Sequence, residues 1–264
     1  MEKTIKRVKT YIQGLDDAMQ GGVPAGHVIL VSGTAGSMKS SVTFNILYNE
    51  ALNGKTGLYI SLEQSYESLN QHLSNMGLRL DKINIQPVKN LTRIEEVIHT
   101  VKNNSTGSII VVDIGTIRKE IKDIKIADNK SWLNVIKNVV KKVKMETNCS
   151  LFVLDSLSAL YTLSRFEDPR VELFYTFEFL RDMDLTTFLI SEMPLDESKY
   201  SEYQIEDFLS DGIIHLRLTP FRRNIIKEIM VVKMRATNCN NDVFSLEFKN
   251  GQFQALYGGQ NPLL

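Results

Sequence analysis

The sequence predicts an α/β protein with a mostly parallel central sheet, helices on both faces and an antiparallel meander near the C-terminal end. Three observations lead to this prediction. Short apolar runs alternate with helix-like segments over most of the chain, which is typical of a parallel sheet. A glycine-rich turn joins the first apolar run to a helix-like segment. After Asp211, strand-like runs follow one another with only short polar turns between them.

The glycine-rich turn spans residues 33–41 and reads GTAGSMKSS. It follows the apolar residues 28–31 and precedes a helix-like segment at 42–47. In this order of elements, successive backbone N–H groups and a helix N-terminus point at one anion. We therefore interpret the turn as a nucleoside triphosphate site, formed by Gly33, Thr34, Ala35, Gly36, Ser37, Met38, Lys39, Ser40 and Ser41.

The turn departs from the phosphate-binding pattern G-x-x-x-x-G-K-[ST] at one position, because Met38 stands where the pattern has its second glycine. Lys39 keeps a predicted role at the β- and γ-phosphates, and Ser40 keeps a predicted role as a Mg²⁺ ligand. We expect ordinary backbone dihedrals at Met38 and a Cβ atom that crowds the phosphate, which would affect affinity rather than fold. For this degenerate pattern taken alone, the alternative is a turn that binds no phosphate.

Composition favours a soluble, cytoplasmic protein. The 264 residues are 43% hydrophobic, and Lys plus Arg balances Asp plus Glu at 31 each, which argues against a dedicated nucleic-acid or membrane binder. Cys149 and Cys239 lack metal-ligand spacing, and no apolar run approaches the roughly twenty residues of a membrane span. We expect one domain over residues 1–264, with a lead-in at 1–26 and the meander at 211–264.

The elements can be predicted in order along the chain. A short helix is expected at residues 15–20, and strands are expected at 28–31, 56–62, 78–86, 108–113, 151–155 and 186–190. Further helices are expected after the loop and at 65–76, 94–102, 132–143 and 168–183, with N-caps at Ser65, at Asp128 or Asn129, and at Asp168. The buried stripe of the last helix is expected to contain Phe174, Phe177 and Leu180. Meander strands are expected at 213–218, 228–234 and 243–248.

Polar residues stand at the carboxyl ends of the predicted strands, where the ligand crevice of a parallel sheet lies. Asp155 ends an apolar strand and is the candidate for the Mg²⁺ shell beside Ser40. Asp113 also ends a strand, but we interpret it as structural because Asp155 is the stronger candidate. The strand expected at 186–190 ends in Ser191 and Glu192, and a polar residue here, for which we choose Ser191, either senses the γ-phosphate or only caps the strand.

Five segments resemble, in order and over nearly the full chain, the KaiC-like branch of the RecA superfamily: GGVPAG, ISLEQSYESL, VLDSLSAL, LSDGIIHL and VVKMRAT. The resemblance implies a single RecA-type ATPase domain of the archaeal type that uses ATP and Mg²⁺, without the second copy of the circadian clock protein. It implies that Glu63 polarises the attacking water. The neighbouring position, commonly a second Glu, is Gln64, and we expect slower hydrolysis because an amide accepts no proton.

The family assembles rings, commonly hexamers, so the resemblance implies a homo-oligomer with ATP between neighbours. It also implies that a K-x-R motif, matched by Lys233 and Arg235, reaches the γ-phosphate of the adjacent subunit as a pair of catalytic cations. Solvated cations on a hairpin are the alternative interpretation. Thr237 begins the segment 237–240, where relatives contact base or ribose, and Cys239 replaces a His often seen there.

The leading hypothesis is an ATP-binding protein with slow hydrolysis at subunit interfaces, in which nucleotide state controls assembly or contacts with a partner that the sequence does not identify. One alternative is a RadA-paralogue-like recombination accessory that binds single-stranded DNA. The neutral charge argues against it, although Arg222 and Arg223 on a predicted loop keep it open. The other is an ATP-binding regulator with little turnover, similar to the ATP-binding component of archaeal motility motors, which Met38 and Gln64 favour.

Overall fold

The structure is a computed structural model that describes residues 5–120, 131–164, 166–193, 200–201 and 204–257. Its strands are β1 (Arg7–Val8), β2 (Ile12–Gln13), β3 (Val23–Pro24), β4 (Val28–Gly33), β5 (Thr56–Ser61), β6 (Asn84–Val88), β7 (Ser108–Asp113), β8 (Cys149–Asp155), β9 (Thr186–Glu192), β10 (Gly212–Phe221), β11 (Asn224–Met234), β12 (Val243–Lys249) and β13 (Gln252–Tyr257). Its helices are α1 (Lys39–Leu52), α2 (Tyr66–Asn75), α3 (Ile94–Lys102), α4 (Ile114–Glu120), α5 (Ser131–Glu146), α6 (Leu157–Ser164), α7 (Pro169–Asp182) and α8 (Glu206–Leu209).

Within the described residues, eleven strands form one sheet in the order β2-β13-β12-β11-β10-β4-β9-β8-β5-β7-β6. Adjacent strands are parallel from β10 through β4, β9, β8, β5 and β7 to β6. On the other side of β10, strands β11, β12 and β13 continue the sheet as an antiparallel meander. The predicted α/β class, with a mostly parallel sheet and a C-terminal meander, is confirmed. The carboxyl ends of β4, β5, β8 and β9 therefore lie at one edge, where a ligand crevice can form.

The central strands are buried on both faces, which explains their unbroken apolar runs. In β4, Ile29 and Val31 belong to a core shared with α1 and α2, whereas Val28 and Leu30 belong to a core shared with α3, α5, α6 and α7. Helices on both faces thus hold the sheet, and the loop that follows β4 is anchored on a strand with no exposed side.

Several element boundaries differ from the sequence predictions. The helix expected at 15–20 is a single 3₁₀ turn at Asp17–Met19. The strand expected at 78–86 begins only at Asn84, because the turn that ends α2 uses the residues before it. Gly77 is left-handed there, and the N–H of Leu78 bonds back to the carbonyl of Leu73 at 3.2 Å. Strand β13 was not predicted.

The predicted N-caps Ser65 and Asp168 are confirmed, since their side chains accept backbone N–H bonds from Ser68 and from Arg170 and Val171. The alternative caps Asp128 and Asn129 lie outside the described residues. On α7, Phe174 is wrongly placed in the buried stripe, because it is 46% exposed and the stripe consists of Leu173, Phe177 and Leu180. No helix in the described ranges has both the length and the apolar character needed to cross a bilayer.

Candidate active site

The loop at residues 33–38 connects β4 to the first turn of α1, and close packing fixes its shape. A Cβ atom on Gly33 would lie 2.2 Å from the carbonyl oxygen of Leu216 on β10, so only glycine fits there. Gly36 has a φ of 80°, in the left-handed region that favours glycine. The hydroxyl of Ser37 donates to the Thr34 carbonyl at 2.8 Å and closes the turn.

Met38 does not have the ordinary dihedrals expected from the sequence. Its φ of 75° and ψ of 23° place it in the left-handed region at the N-cap of α1. A residue with a Cβ atom costs about 1 to 2 kcal/mol in this conformation. The left-handed backbone therefore explains why the usual pattern has glycine at this position. Met38 adopts the same conformation, but with strain. Its side chain lines the cleft described below and also packs against the core beside α1.

Lys39 lies inside the loop and is only 7% exposed. Its Nζ donates to the carbonyl oxygens of Gly33 at 2.8 Å and Thr34 at 2.9 Å. Burial lowers the pKa of this ammonium group, and the neighbouring carboxylates, Glu192 foremost, oppose that shift. Nearby, the buried Thr34 hydroxyl has no hydrogen-bond partner among the described residues. The loop thus holds a cation and an unpaired polar group, a combination that suits an anionic ligand.

Asp155 ends β8 beside the first turn of α1 and is 4% exposed. The hydroxyl of Tyr59 donates to its carboxylate at 2.5 Å, and Ser40 also hydrogen bonds to it. Burial raises the pKa of Asp155, and these two hydrogen bonds oppose the rise. A hydroxyl and a carboxylate oxygen side by side are hard ligands of the kind Mg²⁺ prefers, and a cation would offset the burial of the carboxylate. The residues present therefore fit Mg²⁺.

Glu63 lies two residues beyond the end of β5 and lines the same cleft. Its carboxylate is exposed and accepts a hydrogen bond from the Ser156 hydroxyl. Gln64 also lines the cleft, and its backbone carbonyl oxygen accepts a hydrogen bond from the Ser61 hydroxyl at 2.7 Å. An accessible carboxylate that is held by Ser156 and lines the same cleft as Lys39 can orient a water molecule or accept a proton.

A cleft of about 390 Å³ brings these groups together at the carboxyl edge of the sheet. Its lining consists of Ala35, Gly36, Met38, Lys39, Ser40, Ser41, Glu63, Gln64, Ser68, His72, Asp155, Ser156, Ile190 and Glu192. Most of the residues predicted to bind nucleotide thus share one cleft. Gly33, Thr34 and Ser37 belong to the loop without lining the cleft itself.

The strand end at residues 191–192 presents a different side chain from the one expected. Ser191 is fully buried, its hydroxyl has no partner among the described residues, and it does not line the cleft. Glu192 lines the cleft instead, because successive side chains of a strand point to opposite faces. Asp113 also lies outside the lining: its carboxylate accepts the N–H groups of Tyr66 at 2.9 Å and Thr116 at 2.8 Å.

Lys233 and Arg235 lie at the opposite end of the sheet from the cleft. Lys233 donates to the carbonyls of Asp207 and Ser210, and Arg235 bonds to Asp211. Asp211 in turn accepts the N–H of Val28, the first residue of β4, whereas the loop follows the last residue of that strand. Five residue steps of a strand cover about 17 Å, so neither cation reaches the cleft of its own chain.

Thr237 lies with these cations and not with the cleft. Its hydroxyl accepts a hydrogen bond from Arg7 at 2.9 Å. Apart from the buried Ser191, the predicted site residues therefore fall into two groups: the loop with its cleft, and a second group, here called the cationic group, formed by Lys233, Arg235 and the adjacent Thr237.

Sequence reasoning missed Tyr59, Ser156 and His72, and it chose Ser191 at the strand end where Glu192 lines the cleft. A signal existed for Tyr59, because it shares a face of β5 with Ser61, which is paired with Asp155 on β8. Glu192 could have been preferred to Ser191 by strand alternation. His72 had no sequence signal, since its approach to α1 depends on how α2 packs.

Comparisons with known proteins identify the family of the chain. The family model described as ATPase: KaiC matches residues 8–254. A UPF0273 protein of Pyrobaculum aerophilum is 25% identical over 260 residues, which cover 96% of this chain and 84% of that protein. Circadian clock protein KaiC3 of Synechocystis is 24% identical over 247 residues, which cover 93% of this chain and 44% of that protein.

A crystal structure of a KaiC-like protein from Pyrococcus horikoshii has the same fold. It superposes with a TM-score of 0.71 at 24% identity and covers 96% of this chain and 100% of that one. The family match spans both the cleft and the cationic group. The chain belongs to the KaiC family of ATPases.

Proposed function

We propose that this chain binds ATP with Mg²⁺ in the cleft and hydrolyses it slowly where two copies meet, so that nucleotide state controls assembly or partner contacts. The observation that carries the proposal is the separation of two groups of residues at opposite ends of one sheet. The cleft has the groups that bind phosphate and water, and the K-x-R cations face away from it. A second copy of the chain can bring these cations to the cleft.

In the cleft, each predicted residue has a role that its surroundings support. Lys39 and the N–H groups of the loop bind the phosphates, because the ammonium group and the first turn of α1 share one side of the cleft. Ser40 and Asp155 hold Mg²⁺, which when bound neutralises charge on the phosphate oxygens. Glu63 orients the attacking water, since its carboxylate is exposed to the cleft and held by Ser156.

Lys233 and Arg235 of a neighbouring copy stabilise charge on the transferring phosphoryl group in this proposal. An arginine supplied across an interface contributes about 10³ to 10⁵ in rate to phosphoryl transfer. Thr237 would then meet the ribose or base of the same nucleotide. We propose a homo-oligomeric ring, with six copies as the leading arrangement, and one ATPase domain over residues 1–264.

A regulator that binds ATP with little turnover is the second candidate function, and the backbone of Met38 favours it. The strained left-handed residue sets a thioether side chain beside the phosphate cradle. Gln64 adds an amide where a second carboxylate would help to activate water. Both features weaken catalysis while Lys39 and Asp155 are kept.

The test compares the native protein with Lys39→Ala, using calorimetry with Mg·ATP for affinity and phosphate release for hydrolysis. Arg223→Ala, in the turn between β10 and β11, is the matched control for loss of a cation. We expect the native protein and the control to bind ATP and Lys39→Ala to lose binding. If the native protein at saturating Mg·ATP gives no heat of binding and no shift in thermal unfolding, the proposal is overturned. If the assembled protein binds ATP but releases no phosphate, the second candidate function, a regulator with little turnover, is favoured.

A further inference from the structure

We propose that Arg7 positions the cations that one copy of the chain supplies to the cleft of the next copy. The inference rests on the proposed function and deepens it, because it adds a residue of the lead-in to the cationic group. Arg7 precedes Thr237 by 230 positions in the sequence. It acts through the segment that follows Arg235 and not by contact with the nucleotide.

The Arg7 side chain is fixed between four oxygen atoms. One terminal nitrogen of its guanidinium donates to the Gly22 carbonyl and to the Thr237 hydroxyl, each at 2.9 Å. The other donates to the side-chain oxygen of Gln20 and to the Ala236 carbonyl, each at 3.2 Å. All four acceptors are uncharged, and a planar guanidinium presents its donors in a rigid fork. These contacts therefore fix geometry rather than pair charges.

The strand that carries Arg7 is anchored in the core. Strand β1 pairs with β3 in antiparallel register, with Arg7 opposite Pro24 and Val8 opposite Val23. Val8 and Val23 are buried in the core that is shared with α1 and α2. The guanidinium is thus held out from a fixed backbone towards the segment after the cations.

Two contacts of backbone N–H groups reinforce this connection. The N–H of Asn238 donates to the side-chain oxygen of Gln20 at 3.1 Å, and the N–H of Asn240 donates to the carbonyl of Ala18 at 2.9 Å. Gln20 accepts this bond in addition to the one from the guanidinium, so it bridges the two segments. The segment that follows the cations is therefore held to the lead-in along its length.

Arg235 is held from two sides. Its backbone N–H donates to the Asp211 carbonyl at 2.8 Å, and its guanidinium pairs with the Asp211 carboxylate. Directly after it, Ala236 has a φ of 54°, in the left-handed region that residues with a Cβ atom disfavour. Such a backbone persists only where its surroundings hold it, and the bond from Arg7 to the Ala236 carbonyl does so. A catalytic group displaced by about 1 Å can lose about 10²-fold in rate.

The first experiment separates kcat from KM for phosphate release. Arg7→Ala should assemble and bind Mg·ATP like the native protein, so its KM should change little, whereas its kcat should fall about 10²-fold. Arg7→Lys keeps the charge and the alkyl stem but not the fork of donors, so it should recover part of the rate. Lys6→Ala, which removes the exposed cation next to Arg7, is the control and should keep the native rate.

The second experiment mixes variants to show on which side of the interface Arg7 acts. With Lys39→Ala, Arg7→Ala should release phosphate well above the rate of either variant, because mixed assemblies pair an intact cleft with intact cations. With Arg235→Ala it should recover none, since both variants then lack positioned cations. Loss of stability alone does not give this pattern, because an unstable subunit is impaired in both mixtures. Arg7→Lys carries the same test if Arg7→Ala does not assemble.

The failures of the two proposals are distinguishable. A native kcat in Arg7→Ala, or mixtures in which it behaves alike towards Lys39→Ala and Arg235→Ala, would overturn the role of Arg7. If Lys39→Ala and Arg235→Ala still recover phosphate release when they are mixed with each other, the proposed function stays intact. Absence of that recovery in mixtures that assemble, or absence of phosphate release by the native protein, would remove the supply of cations between copies and this inference with it.

Discussion

The guanidinium of Arg235 lies 2.8 Å from the carboxylate of Asp211, at the end of the sheet opposite to Lys39. Asp211 also bonds to Arg181 and accepts the N–H of Val28 at 3.0 Å, which anchors it to the first residue of β4. Arg235 is therefore held on the sheet although its side chain is 56% exposed. A fixed and exposed cation far from its own cleft is suited to act on another copy of the chain.

The first prediction concerns transfer of this cation between subunits. Arg235→Ala should bind ATP like the native protein but hydrolyse it about 10³-fold more slowly, because charge on the phosphoryl group loses its partner. Lys39→Ala should be inactive for lack of nucleotide. A mixture of the two variants should recover part of the phosphate release, since mixed assemblies pair an intact cleft with an intact Arg235.

The control for this mixture is Arg235→Ala combined with Lys39→Ala in one chain, which should add no activity to either variant. The mass of each preparation in solution shows whether assembly is preserved. Unchanged turnover in Arg235→Ala, or no recovery in mixtures that assemble, would contradict the role of Arg235 across an interface.

The second prediction concerns Met38. Met38→Gly should change the free energy of unfolding by less than about 1 kcal/mol, because relief of the left-handed strain is offset by lost contacts of a half-buried side chain. Its affinity for ATP should rise, since no Cβ atom then lies beside the phosphate. Met38→Ala is the matched control: it keeps the Cβ atom and the strain, so it should lose stability without gaining affinity. Calorimetry and thermal unfolding measure both quantities, and weaker ATP binding by Met38→Gly would refute the crowding argument.

The contrast between Met38 and Asp155 shows how far the sequence could predict this site. Asp155 was predictable because a strand end is visible as an apolar run followed by a carboxylate, and its place beside the loop follows from parallel topology. The left-handed backbone of Met38 was not predictable, because a methionine in a sequence gives no indication of a positive φ. Contacts between separate helices, such as the one from His72 to Ser41, depend on packing geometry that periodicity does not encode.

The same reasoning applies to the fold. Periodicity located the buried strands and the caps at Ser65 and Asp168, because burial and capping leave local patterns. It misplaced Phe174, since residues 173 and 174 both suit an apolar stripe and the packing of α7 selects Leu173. The far position of Lys233 and Arg235 relative to the cleft follows from the strand order, which the sequence does not specify.

The third prediction concerns the pH dependence of stability. His215 is 5% exposed, and its Nδ1 lies 2.9 Å from the Ser32 hydroxyl beneath the loop. Burial, with the charge of Arg217 adding to it, lowers the pKa of His215 from 6.5 to about 4. Between these values the unfolded chain binds a proton that the folded protein does not. The contribution of His215 to the free energy of unfolding should therefore be constant above about pH 6.5 and fall by up to about 3 kcal/mol towards pH 4.

Urea unfolding at a series of pH values measures this dependence. In His215→Gln, which keeps a polar partner for Ser32, the slope between pH 6.5 and 4 should be smaller than in the native protein. His99→Ala, which removes an exposed histidine on α3, is the control and should keep the native slope. An equal slope in His215→Gln would show that other groups cause the loss of stability.

The fourth prediction concerns the carboxylate that faces the cleft. Glu63→Gln should keep ATP affinity and lower phosphate release by about 10²- to 10⁴-fold, because an amide cannot accept a proton from water. Gln64→Glu should instead raise release, since it adds a second carboxylate to the same lining. Glu67→Gln, on the exposed side of α2, controls for a change of charge alone. If Glu63→Gln releases phosphate at the native rate, water activation has to be assigned to another group, and Glu192 is the other exposed carboxylate in the cleft lining.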